Sequence, residues 1–156
     1  MALAHSVDEA LDRFELIQGT GSLDENRGCA MTVLSWMAGE SWTDSLPCTN
    51  TVLRANVIAA NDANNATSTH RAEMVRAGVD GILDTWWVPD QVVAWGLVDK
   101  DTPYVDRVIA AVKKIAAWKV THDRPNLGGA NLGGADANEW TTWPVGFAVP
   151  EEVHNG

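Results

Sequence analysis

Four side chains between positions 40 and 62 have the chemistry to bind a small molecule or to move protons. Glu40, Trp42 and Asp44 lie close together in a polar stretch, and Asp62 follows further along the chain. An indole ring can stack on a flat ligand, and carboxylates that approach one another can bind cations or transfer protons. One of the clustered carboxylates would then have a raised pKa. The pattern therefore predicts, as one hypothesis, a ligand site between the second and third helices.

The two cysteines offer weaker chemistry. Cys29 follows Gly28 near a predicted helix start, where the helix dipole lowers a thiol pKa and favours a nucleophile. A cysteine inside an apolar run is more often a buried packing residue, and no His or Asp has a spacing that identifies a base. Cys48 has no CxxC partner, so we expect no metal site and two free thiols. Phosphate-binding and nucleophile-elbow motifs are missing from the sequence, so we expect no cofactor.

Composition restricts the classes of partner. Twenty-one acidic and eleven basic residues give a net charge of -10, which repels a phosphate backbone and disfavours binding to nucleic acid. No stretch approaches the roughly 20 apolar residues that span a bilayer, and the first residues lack a basic start followed by an apolar segment. We expect no membrane association and a cytoplasmic location, which is the host cytoplasm if a phage encodes the chain.

Capping residues and helical periodicity predict five or six helices. Ser6 to Glu9 form a capping box, Thr49 or Asn50 can cap a third helix, and a proline opens the last one. The second helix is apolar on most sides, so we expect it to be central. Gly78 and Gly81 weaken the fourth helix unless they allow close packing. The predicted helices cover residues 7–18, 22 or 24 to 39, 49 or 50 to 62, 67 or 68 to 86, 90–96 and 103–119.

Tryptophan dominates the aromatic content. The chain has eight tryptophans but only three phenylalanines and tyrosines together. A buried indole removes about 150–250 Å² from water, so these rings are expected to supply much of the core. The tryptophans predicted to do so are Trp36, Trp86, Trp87, Trp95 and Trp118.

The C-terminal third has a different pattern. Three five-residue units occupy residues 125–139 and resemble the pentapeptide repeat, a family that winds a β-helix with four units per coil. Three units cannot build a stacked core, so residues 123–139 are predicted to form a Gly-rich tether or a loop. Residues 140–156 carry Trp140, Trp143 and Phe147, which we expect to dock on the helical domain of residues 6–122 or on a partner.

Five short motifs between residues 28 and 62 identify a resemblance. They are Gly28-Cys29-Ala30-Met31, Ala38-Gly39-Glu40, Trp42-Thr43-Asp44, Pro47-Cys48 and Asn61-Asp62. This series is similar to the GCxM, AGE, W[ST]D, HPxC and WND pattern of a group of small uncharacterised proteins from actinobacteria and their phages. The chain has Ser45 in place of a histidine and Ala60 in place of a tryptophan. The resemblance implies a helical fold and no catalytic role.

The expected fold is mainly α: a compact bundle of five or six helices, a Gly-rich segment and an irregular Trp-bearing tail. The leading functional hypothesis is a non-enzymatic phage or actinobacterial accessory protein that acts through protein contacts, either self-association or binding of a host factor. The acidic balance and the aromatic tail favour it. The alternative is a small-ligand binder or hydrolase that uses Glu40, Trp42, Asp44 and Asp62.

Overall fold

The computed structural model describes residues 3–122, and this part of the chain folds into six helices and one short pair of strands. This confirms the mainly α prediction. The predicted Gly-rich segment 123–139 and the aromatic tail 140–156 lie outside the described residues. Within residues 3–122, no helix has the length and apolar character needed to cross a membrane. The elements are α1 (Val7–Arg13), β1 (Glu15–Leu16), β2 (Arg27–Gly28), α2 (Ala30–Met37), α3 (Thr51–Asp62), α4 (Ser68–Gly81), α5 (Asp90–Gly96) and α6 (Tyr104–Val120).

Side-chain caps begin three of the helices at the predicted places. The side chains of Ser6, Asn50 and Thr67 each accept a hydrogen bond from the backbone N–H three residues further on, at 2.9–3.1 Å. Such a bond satisfies one of the N–H groups that a helix start leaves without a partner. Pro103 precedes α6, where its missing N–H is not needed. These four starts follow from local sequence alone.

The core surrounds α2, as predicted. Seven of its eight residues are buried, and Trp36 is half-buried. The helices α4 and α6 also pack closely, because a Cβ atom at Gly81 would lie only 2.1 Å from the backbone oxygen of Val112. At Gly78 a Cβ atom would lie 2.7 Å from a side-chain carbon of Leu34 in α2. The two glycines of α4 therefore allow close helix packing, the second of the two predicted alternatives.

Three helix boundaries differ from the prediction. Helix α1 ends at Arg13, not at residue 18, and α2 begins at Ala30, not at residue 22 or 24. The intervening residues form a parallel pair, in which Glu15 is opposite Arg27 and Leu16 is opposite Gly28. Strands of two residues are too short to show an alternating pattern in the sequence. Helix α4 ends at Gly81, before the predicted residue 86, and residue 84 has a positive φ of 54°.

The tryptophans were correctly predicted in part. Trp87 and Trp118 are buried, and their ring centroids lie 5.7 Å apart. Trp36, Trp86 and Trp95 are only half-buried at the margin of the core. Aliphatic side chains and methionines of α2, α4 and α6 supply about half of the other buried hydrophobic residues.

Candidate functional site

The buried amide of Asn61 organises the region in which the sequence predicts a ligand site. This side chain is fully buried, and its Oδ1 atom accepts a 3.0 Å hydrogen bond from the N–H of Ala30. Its Nδ2 atom donates to the carbonyl of Ile17 and to Oδ1 of Asp62, both at 2.9 Å. Cys29, the N-cap residue of α2, makes no side-chain cap bond. The amide of Asn61 therefore does the capping and joins α2, α3 and the segment after β1.

The exposed carboxylate of Asp62 also binds the segment after β1. Its Oδ1 atom accepts a 2.8 Å hydrogen bond from the N–H of Gly19, in addition to the bond from the Asn61 amide. Gly19 has a φ of +78°, a conformation that favours glycine. The side chain of Gln18 donates to the backbone carbonyl of Asp62 at 2.9 Å. These bonds hold the turn around Gly19 against the end of α3.

Trp42 packs against the protein at the strand pair. Its ring centroid lies 5.3 Å from that of Phe14, with the planes tilted by 39°. A Cβ atom on Gly28 would lie 2.5 Å from Cζ2 of the indole, so only a glycine at this position allows the contact. The indole is half-buried, and its Nε1 atom has no hydrogen-bond partner among residues 3–122. Trp42 thus contributes to packing beside β2.

Glu40 and Asp44 lie in the connector between α2 and α3. The side chain of Glu40 is exposed, whereas Asp44 is half-buried and accepts a 3.4 Å bond from the hydroxyl of Ser45. Within the described part of the chain, no hydrogen bond joins the carboxylates of Glu40, Asp44 and Asp62. No group of three or more His, Cys, Asp or Glu side chains there has the arrangement to hold a metal. The predicted ligand site stays a prediction, and the hydrogen bonds of Asp62 have a structural explanation.

Cys29 is a buried thiol, as the apolar run around it predicts. It is 2% exposed, and its sulfur lies 3.6 Å from the hydroxyl of Thr32. Burial raises the pKa of Cys29, and the hydrogen bonds from Thr32 oppose this only partly. The thiol therefore stays protonated at neutral pH, a state that is a poor nucleophile. Cys48 is half-buried, and both cysteines are free.

Sequence reasoning missed a groove of about 650 Å³ between α1, β1 and α4. Its apolar lining comes from Leu11, Phe14, Leu16 and Ala72. Its polar and charged lining comes from Glu15, Ser68, Thr69, Glu73 and Arg76. The groove exists because the chain leaves α1 after Arg13 and enters β1. The predicted first helix continued to residue 18, so the sequence analysis did not include this turn. The spacing of residues 68, 69, 72, 73 and 76 along α4 was the available signal, since these positions share one helix face.

Comparison with known proteins identifies no relative: no family model, no curated protein and no solved structure matches the chain.

Proposed function

We propose that the chain is a non-enzymatic accessory protein, of phage or actinobacterial origin, that acts through protein contacts. The observation that carries the proposal is the groove between α1, β1 and α4. A groove with apolar side chains bordered by polar and charged ones has the arrangement of an interface, an apolar centre with a polar rim. The buried, protonated Cys29 and the structural hydrogen bonds of Asp62 support the non-enzymatic part of the proposal.

The side chains of the groove indicate the kind of segment that it binds. Half-buried Leu11 offers an apolar contact, the buried Phe14 and Leu16 lie beneath it, and Ala72 leaves room because its side chain is small. Glu73 forms a 3.5 Å ion pair with Lys113, and Arg76 is exposed beside it. An aromatic side chain gains the most binding free energy in such a groove, because burial of one indole removes about 150–250 Å² of its surface from water.

The aromatic tail supplies a segment of this kind. Trp140, Trp143 and Phe147 lie 18 residues or more beyond the end of the described part at residue 122. Lys119 donates a 2.8 Å hydrogen bond to the carbonyl of Asp80, so the chain leaves α6 near the C-terminal end of α4. The groove occupies residues 68–76 of α4, about 6–18 Å from Asp80 along the helix, whereas the intervening residues can extend to about 55 Å. The tail is therefore long enough to reach the groove of its own copy or that of a second copy. We propose the second arrangement, which gives self-association, and deletion of the tail separates the two.

Light scattering coupled to size-exclusion chromatography tests the proposal. We expect the full chain to associate with rising concentration. Ala72→Gln should weaken association at least tenfold by filling the groove. Ala55→Gln is the matched control, because Ala55 is an exposed alanine on α3. Deletion of residues 140–156 should abolish association and leave the melting temperature of the monomer unchanged.

Two results would refute the proposal. The first is a full chain that remains monomeric at all concentrations and captures no protein from a host lysate. The second is a monomer whose melting temperature falls on deletion of residues 140–156, because the tail would then stabilise its own domain. If Ala72→Gln and Ala55→Gln associate with equal affinity, the groove is not the surface through which the copies associate.

A further inference from the structure

Arg71 is a buried cation without a carboxylate partner. It is the fourth residue of α4 and only 8% exposed. Its Nε atom donates a 2.9 Å hydrogen bond to the backbone carbonyl of Asn61. Among residues 3–122, no other acceptor bonds its guanidinium and no carboxylate forms an ion pair with it. A guanidinium has five N–H donors, so most of those of Arg71 remain available.

Helix dipoles compensate this charge only in part. The carbonyl of Asn61 lies at the end of α3, where the dipole supplies about half a negative charge. Arg71 itself stands near the start of α4, where the dipole is positive and disfavours a cation. The side chain of Arg71 is mostly buried, and its remaining N–H groups reach the surface. The chain has 21 acidic residues, yet no acid of the described part pairs with this arginine.

Arg71 lines a pocket of about 550 Å³ on the surface between β1 and the turn before α4. A second cation, Arg27, also lines it and forms a 3.3 Å ion pair with Glu15, in which both side chains are exposed. The lining of the pocket therefore includes two arginines and one glutamate. Its lining consists of Glu15, Leu16, Ile17, Gln18, Arg27, Asn64, Ala66 and Arg71.

Other polar groups near the pocket are already engaged. The amide of Gln18 donates to the backbone carbonyl of Asp62, whose carboxylate accepts from the N–H of Gly19 and from the amide of Asn61. The carboxylate of Asp62 therefore has two hydrogen bonds of its own and forms no ion pair with Arg71. By contrast, the guanidinium of Arg107 donates to the backbone carbonyls of Lys100 and Thr102. Arg71 lacks such a set of acceptors.

We propose that this pocket binds an oxyanion, a carboxylate or a phosphate, through Arg71 with Arg27 as a second donor. The planar fork of a guanidinium matches the two oxygens of such an anion. The anion has two sources. One is the acidic end of the chain, where residues 123–156 contain five acids and one base and include Glu151 and Glu152. The other is a free anion.

Thermal unfolding of the full chain tests the site with sodium phosphate and sodium acetate, each against sodium chloride at equal ionic strength. A ligand that binds only the folded state raises the melting temperature in a saturable way. We expect phosphate to do so for the native sequence, and Arg71→Gln to lose the effect. Arg54→Gln is the matched control and should retain it, because Arg54 is a half-buried arginine on α3 that bonds a backbone carbonyl.

Two further variants separate the sources and guard against misfolding. If Glu151 or Glu152 occupies the site, the double variant Glu151→Gln, Glu152→Gln should bind phosphate at least tenfold more tightly than the native sequence. If the site instead binds an anion from solution, the double variant and the native sequence should bind phosphate equally. Arg27→Gln alters an exposed side chain and should fold, yet weaken phosphate binding several-fold by isothermal titration calorimetry.

The proposal is overturned if neither the native sequence nor the double variant responds to phosphate or acetate beyond the chloride control. It is also overturned if Arg27→Gln and Arg54→Gln affect phosphate binding equally. The site does not depend on self-association, so light scattering and anion titration can fail independently.

Discussion

The replacement Asn61→Ala should destabilise the protein more than most single substitutions. The amide of Asn61 accepts a hydrogen bond from the N–H of Ala30 at the start of α2 and donates one to the carbonyl of Ile17. The side chain is fully buried. Alanine keeps the helical backbone of α3 and removes all three hydrogen bonds of this side chain. Asp62 keeps its hydrogen bond from Gly19, so the loss falls mainly on the N–H of Ala30 and the carbonyl of Ile17.

The size of the loss follows from the groups left without partners. A buried N–H or carbonyl that loses its partner costs about 1–3 kcal/mol, and the N–H of Ala30 is buried whereas the carbonyl of Ile17 is partly buried. We expect the free energy of unfolding to fall by about 2–5 kcal/mol. That is a large part of the roughly 5–15 kcal/mol that stabilises a typical domain.

Urea unfolding monitored by tryptophan fluorescence measures this loss. With an m value of about 1.5 kcal/mol/M, a loss of about 3 kcal/mol lowers the midpoint by about 2 M. Asn65→Ala is the control, because Asn65 is exposed in the turn after α3. Asn61→Asp should not recover the loss, since its second oxygen would face the carbonyl of Ile17 and the carboxylate of Asp62 without a proton to donate. A loss below about 1 kcal/mol for Asn61→Ala, or one equal to that of Asn65→Ala, would refute the capping role.

Three other predictions concern packing and the thiols. Gly81→Ala should lower the free energy of unfolding by about 1–3 kcal/mol, because overpacking against the backbone of Val112 outweighs the better helix propensity of alanine; urea unfolding checks this. A thiol reagent should modify Cys48 before Cys29 in the folded protein, and peptide mass spectrometry that finds equal rates would contradict it. The stability difference between the native sequence and Cys29→Ala should fall as pH rises above 9.0, the ordinary pKa, when followed by urea unfolding at several pH values. There the unfolded thiol releases its proton while the buried one keeps it, so the unfolded state binds fewer protons.

Local signals in the sequence were sufficient for most of the helices. Ser6, Asn50 and Thr67 cap helices through backbone groups only three residues away, so their roles can be derived without knowledge of the fold. The close packing at Gly81 was one of two predicted alternatives. The sequence could not decide between them, because the neighbour that makes alanine unfavourable belongs to α6.

Long-range contacts explain what the sequence did not show. The segment after β1 is held by Asn61, which lies 44 positions from its partner Ile17, so this contact next to the strand pair leaves no local sequence signal. The unpaired state of Arg71 likewise depends on which acids lie near it, and spacing along the chain does not give this. The predicted group of Glu40, Trp42, Asp44 and Asp62 rested on proximity in sequence. Trp42 and Asp62 instead contact Phe14 and Gly19, and Asp44 bonds its neighbour Ser45.

The two proposed surfaces depend on one structural support. Glu15 and Leu16 of β1 line both the groove and the anion pocket, so the position of β1 shapes both. That position is set from the end of α3, where the amide of Asn61 holds the segment after β1 and its carbonyl accepts from Arg71. Because the same residue also caps α2, the most buried helix, one fully buried side chain connects the core to the support of both surfaces.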